Sequence, residues 1–181
     1  MDREKLLQTV LDCGATKAEY LTGDQIVTSA HFREICRSNA CGGYGRCWVC
    51  PPDNGNIEEL MAKVKSYPYA LLYQLIGEIE DSYDYEGMTE VGTQHKRLSQ
   101  KIRQALLPWM DVDYLHLSSG GCNLCAKCAR LTNEPCRHPQ EALSSLEGYG
   151  IDVYHTTSHT QLKYINGQNT VTYFGLILFT E

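Results

Sequence analysis

The stretch YALLYQLIGEI, residues 69–79, reads as a strand, and the rest of the fold is read outward from it. Just upstream, Ile57, Leu60, Met61 and Val64 recur at i, i+3, i+4 and i+7, the spacing of a helix that either Asn54 or Asn56 can cap. Downstream, DSYDYEGMTEVG over 81–92 is polar and reads as a surface loop. A helix over 93–107 follows, with Leu98, Ile102, Ala105 and Leu106 facing inward and Pro108 ending it. Residues 113–118 alternate apolar and polar as a strand does. Pro139 suits the first turn of a helix through Leu146, closed near Gly148. Residues 151–155 and 170–179 read as the last strands, joined through a turn at Asn166-Gly167. At the other end, residues 3–12 form a helix with Leu6, Leu7, Val10 and Leu11 on one face and Gly14 as its stop, and residues 18–28 are extended. No repeat or linker divides the chain. The expectation is a single domain over 1–181, α/β or α+β, with a mixed sheet, flanking helices and two cysteine-rich metal-binding loops, each between a strand and a helix.

The chain has 181 residues, enough to bury roughly 70% of its unfolded surface, so the body should not need a metal in order to fold. With 16 Lys+Arg against 22 Asp+Glu it is mildly acidic, which argues against a nucleic-acid or anionic-membrane surface as its main business. The basic stretch His95-Lys96-Arg97, with Lys101 and Arg103, reads as a solvated helix face. The first residues, MDREKLLQTVLDCG, have no apolar run of the secretory kind, and the longest apolar runs are too short to span a bilayer. A cytoplasmic location follows as the expectation. There thiols stay reduced, so nine cysteines mean metal or redox chemistry and not a disulfide framework.

Eight of the nine fall into two groups of four. Cys122, Cys125, Cys128 and Cys136 form C-x2-C-x2-C-x7-C. Three thiolates so close together can enter one pocket from a single wrapped loop, as in the iron–sulfur run of bacterial ferredoxins, whereas zinc more often joins two separate C-x2-C knuckles. The spacing favours an iron–sulfur cluster. The fourth cysteine is farther off than in ferredoxins. Either Cys136 returns on a wider loop as the fourth ligand, or it serves elsewhere and leaves one iron open. Lys127, Arg130, Arg137 and His138 surround this group, either offsetting cluster charge or simply solvated.

The other group is Cys36, Cys41, Cys47 and Cys50, in CRSNACGGYGRCWVCPP, a C-x4-C-x5-C-x2-C pattern. Its glycines allow backbone N–H groups to approach sulfur closely, and Pro51-Pro52 stiffens the exit. Tyr44 and Trp48 either shield a cluster or pack as core. This looser spacing suits a second [4Fe-4S] cluster or a tetrahedral zinc site, or a mixed arrangement in which one group's outer cysteine ligates the other group's cluster. Cys13, at the end of an apolar helix, reads as a buried structural thiol.

The chain also resembles the DUF2284 family of predicted metal-binding proteins. The resemblance is carried by Cys13-Gly14-Ala15-x-x-Ala18, by the glycine-laced loop from Cys36 to Pro52, by Gly120-Gly121-Cys122-x2-Cys125-x2-Cys128, by Glu134-Pro135-Cys136-Arg137-His138-Pro139 and by Leu146-Glu147-x-Tyr149-Gly150-Ile151-Asp152-Val153. It implies a metal, with iron–sulfur favoured, and no established reaction.

Elsewhere, His155 and His159 lie in a β-branched, strand-like setting that argues against a helical zinc pair. His116 alternates with Leu115 and Leu117 on a strand. Asp81, Asp84 and Glu86 read as loop solvation. No nucleotide-binding or nucleophile-elbow pattern is present. The leading expectation is a cytoplasmic protein with two [4Fe-4S] clusters that passes electrons to a partner enzyme. The alternatives are a cluster-dependent enzyme with an open iron acting on a small molecule, and a zinc-binding structural or interaction module.

Overall fold

The computed structural model describes residues 2–109 and 111–180. Its centre is an antiparallel sheet of β1 (Lys17–Thr22), β2 (Tyr69–Glu78), β3 (Tyr114–Leu117) and β4 (Thr170–Phe179), in the order β1-β2-β4-β3. β2 and β4 pair along their full length, from Tyr69 opposite Phe179 to Glu78 opposite Thr170. All three strand pairs are antiparallel, where a mixed sheet was expected. The one parallel element is a lone bridge between Ser118 and Ser145. The fold is therefore of the α+β kind.

Side chains alternate across the sheet, and each face is buried by helices. Leu71, Tyr73, Ile177 and Phe179 face α1 (Arg3–Cys13) and α4 (Tyr85–Ala105), whose Leu6, Val10, Leu98 and Ile102 complete that core. Ala70, Leu72, Leu176 and Leu178 face the opposite way, against Val64 of α3 (Ile57–Ser66) and against Ile26, Leu146, Ile151 and Val153. Two short helices, α2 (His31–Arg37) and α5 (Val153–Thr157), finish the set.

Local chemistry explains most boundaries. Gly14 ends α1 at φ 116°, where its amide donates back to Leu11 and Val10. Asn56, not Asn54, caps α3, its side chain accepting from the Glu58 and Glu59 amides. The last strand and the helix at 93–107 stand where the pattern puts them.

Four expectations fail, each for a physical reason. The polar segment 81–92 is no loop from residue 85 onward: Asp84 accepts the Gly87 amide at 2.7 Å and starts α4 two turns early. Residues 139–146 are not helical, because Ser118 donates to the Ser144 carbonyl and Leu146 donates to that of Ser118, tying them alongside β3. Residues 151–155 are not a strand. Asp152 caps α5 by accepting the His155 amide, so no hairpin forms through Asn166-Gly167. Finally α2 takes in Cys36, so the first cysteine loop joins two helices and not a strand to a helix.

Among these residues no helix is long and apolar enough to cross a membrane.

Candidate metal centre

The first loop opens at the end of α2. Asn39 adopts a left-handed conformation (φ 55°), accepts the Gly42 amide on its carbonyl and the Tyr44 amide on its side chain, and so turns the chain back on itself. The Cys50 amide donates to the Cys47 carbonyl at 3.0 Å, closing a tight turn between those two thiols. Gly43 lies against the sulfurs: a Cβ there would stand 3.3 Å from Cys50 Sγ and 3.6 Å from Cys41 Sγ. Cys47 is buried, Cys36 and Cys50 are half-buried, and Cys41 is exposed.

The second loop leaves the end of β3 through Ser118 and runs to Leu146. Cys122, Cys125, Cys128 and Cys136 all line one small cavity of about 20 Å³, together with Arg137 and His138. Cys136 therefore shares the wall of the other three, despite its longer spacing.

The two loops interlock. Trp48 donates its indole N–H to the Glu134 carbonyl at 2.9 Å, and the Ser144 hydroxyl donates to the Val49 carbonyl at 2.9 Å. Arg130 pairs with Asp53 at 2.7 Å and lies over the Trp48 ring. A Cβ on Gly121 would meet Cys50 Sγ at 3.5 Å. The sulfurs themselves meet at Cys47, which accepts from the thiols of Cys122 and Cys50 and from the backbone amides of Val49 and Cys122. Those contacts favour its thiolate and pull its pKa far down, while Cys50 and Cys122, as donors to it, are pushed up. An open groove lined by Cys41, Cys47, Cys122 and Cys125 runs across this seam, with Arg46, Lys96 and Lys127 also on its walls.

These residues suit an anionic metal–thiolate group. Arg33 is buried beside Cys36, and its Nε and Nη2 have no hydrogen-bond partner. A buried guanidinium left without a partner is costly, and a negative group held by the neighbouring thiols would compensate it. Among the described residues no three His, Cys, Asp or Glu side chains are closed around a point that would hold a single ion. The thiols face shared volumes instead.

Of the surrounding cations Arg130 is the most enclosed, while Arg137 and His138 stay largely exposed. Arg130 is held by Asp53, Arg137 by Glu134 at 3.5 Å and by the Lys127 carbonyl at 3.0 Å, and His138 by Glu141 at 3.5 Å. Of the basic stretch on α4, Arg97 is exposed but His95 is fully buried, with its Nδ1 2.9 Å from the Ser119 hydroxyl. His116, expected on a polar strand face, is buried as well. It bonds at Nε2 to the Tyr73 hydroxyl (2.8 Å), which also meets Ser99 (2.9 Å), itself bonded by Ser118 (2.8 Å). This polar chain ends four residues before Cys122. No spacing in the sequence signals it, since it joins residues from β2, α4 and β3. His155 is exposed and bonded to Asp152, and His159 is exposed too; neither is near the thiols' walls. Cys13 is half-buried at the end of α1, where burial raises its thiol pKa.

Fold and site together define a cysteine-rich α+β protein whose thiols gather where two loops interlock beyond β3. The chain belongs to the DUF2284 family, described as predicted metal-binding proteins, whose model matches residues 19–179. No curated protein and no solved structure matches it.

Proposed function

We propose that the two loops hold two [4Fe-4S] clusters, ligated by Cys36, Cys41, Cys47 and Cys50 and by Cys122, Cys125, Cys128 and Cys136, and that the protein passes electrons to a partner enzyme in the cytoplasm. The observation that carries this reading is the cavity walled by all four thiols of the second loop, joined to the C-x2-C-x2-C spacing that suits a cubane. When bound, such a cluster supplies one-electron exchange at a potential set by charge, hydrogen bonds to sulfur and solvent access. The chain's own residues act on each of these. The amides of Val49, Cys122 and Leu124 donate to cysteine sulfurs, Arg33 sets a buried positive charge beside Cys36, and Trp48 covers the seam.

Anaerobically purified protein should be brown and carry about eight irons and as many acid-labile sulfides per chain. Colourless protein with stoichiometric zinc sinks the proposal in favour of a zinc-stabilised module. Replacing Cys136 by Ser should halve the iron; unchanged iron would instead support an open iron and a catalytic role.

A second partition of ligands is favoured by one contact, that of Cys47 with Cys122 across the loops. In that arrangement a thiol of one group serves the other group's metal. Cys122→Ser separates the two: loss of one cluster with the other's spectrum intact supports matched quartets, and loss of both supports sharing.

A further inference from the structure

Away from the thiols, a second cavity of about 230 Å³ opens between the start of β4, the chain after β3 and the turn before α5. Its walls include Tyr164 and Phe174, with Ser119, Gly120 and a single ionisable carboxylate, Glu147; Tyr173, the neighbour of Phe174 on β4, also borders it, but its ring turns to the other face of the sheet, where its hydroxyl donates to the Met88 carbonyl. Tyr164 and Phe174 stack face to face with centroids 5.8 Å apart, which fixes that side of the wall. No Lys or Arg lines the cavity, and among the described residues Glu147 forms no ion pair. Arg33, on the helix packed against the same turn, leaves it unpaired, and Lys96, whose Nζ stands 3.8 Å from where a Cβ on Gly120 would be, does not line the cavity. Burial raises the Glu147 pKa, and its carboxylate is bonded by its own amide and the Ser145 hydroxyl but by no cation. Aromatic faces attract cations through their quadrupole, and a carboxylate completes such a site with a charge-assisted bond.

We propose that this cavity binds a small organic ammonium ion, its charge held by Glu147 and its carbons by Tyr164 and Phe174. Ser119 and Gly120 immediately precede Gly121-Cys122, so the ligand lies next to the second cysteine loop. The site would give the α+β body a ligand of its own, and it stands whichever metal the loops take.

Calorimetric titration of the full chain with choline, with butylammonium and with an uncharged dimethylbutanol of choline's shape tests the inference. At least one cation should bind while the alcohol does not, and Glu147→Gln should weaken the cation by about tenfold or more. Binding of neither cation, equal binding of the alcohol, or an unchanged affinity in Glu147→Gln overturns it. Should that variant fail to fold, Tyr164→Ala, at a half-exposed ring, must weaken the cation with the far-ultraviolet spectrum preserved; an unchanged affinity is equally fatal. The readout involves no metal, so its failure leaves the iron assay standing, and the reverse.

Discussion

The β2–β4 pair and the two cysteine loops sit side by side and are held by different means. In the sheet, Leu71, Leu72, Leu176 and Ile177 are wholly buried between two layers of helices, and the ladder runs unbroken for the length of both strands. In the loops, turns and side-chain bonds replace the core: seven of the eight thiols keep some exposure, and the contacts between loops are mostly polar. The body is packed by apolar burial on both faces of the sheet, whereas the loops hold a buried guanidinium whose Nε and Nη2 are unpartnered beside a set of neighbouring thiols. Apolar packing and polar contacts are thus divided between regions.

The strongest way to break that division is in the sheet. Leu176→Ala should cost about 2–5 kcal/mol in urea unfolding, because a fully buried leucine leaves a cavity between tightly packed layers. A loss below about 1 kcal/mol would mean the core is not what holds the body.

Acid is the next lever. Burial lowers the pKa of His95 to about 4 and that of His116 to about 3, so both stay neutral in the folded chain at pH values where an unfolded histidine, near 6.5, takes a proton. Stability should be full above pH 6.5 and fall as the pH drops toward those values, by ~1.4 kcal/mol per pH unit for each histidine. Urea melts of metal-free protein at several pH values measure this without ligand protonation. A flat profile contradicts the burial of the two rings, and His116→Gln should reduce the slope.

At the border between the regions, Asn56→Ala should cost about 1 kcal/mol, since it removes the acceptor for the first amides of α3. Within the loops, Gly43→Ala should shift global stability by less than about 0.5 kcal/mol yet lower metal content, because the new methyl presses on Cys50 Sγ. Unaltered metal content and spectrum would remove Gly43 from the site. Smallest for the body is metal removal itself. Chelation should leave the far-ultraviolet spectrum unchanged while trypsin cuts faster at Arg46, Lys127 and Arg137; a collapse of the whole spectrum would show that the body does depend on the loops.

The elements legible in the sequence are those whose own residues dictate them. The i, i+3, i+4 and i+7 stripe of α3, the glycine stop of α1 and the apolar runs of β2 and β4 are local facts with local outcomes. What escaped depends on distant partners. The early turns of α4 look polar, but Val91 is buried where it fills the space opposite Gly77, and His95 lies under the sheet. Val153, Thr156 and Thr157 have a strand's branched side chains. Yet the sheet already ends at β1 and β3, and the Asp152 cap turns those residues into a helix that buries them. The cysteine spacing marked both loops, but it gave no sign that Cys47 meets Cys122.

By itself, the sequence determined the grouping of the cysteines and the periodicity of the best elements, because cysteine spacing and hydrophobic repeats act over short stretches of chain. Only the tertiary structure decided that the loops interlock, that Cys47 meets Cys122, and that Glu147 shares a cavity wall with Tyr164 and Phe174. Each of these joins residues far apart in the chain, and packing the two faces of one antiparallel sheet is what brings them together.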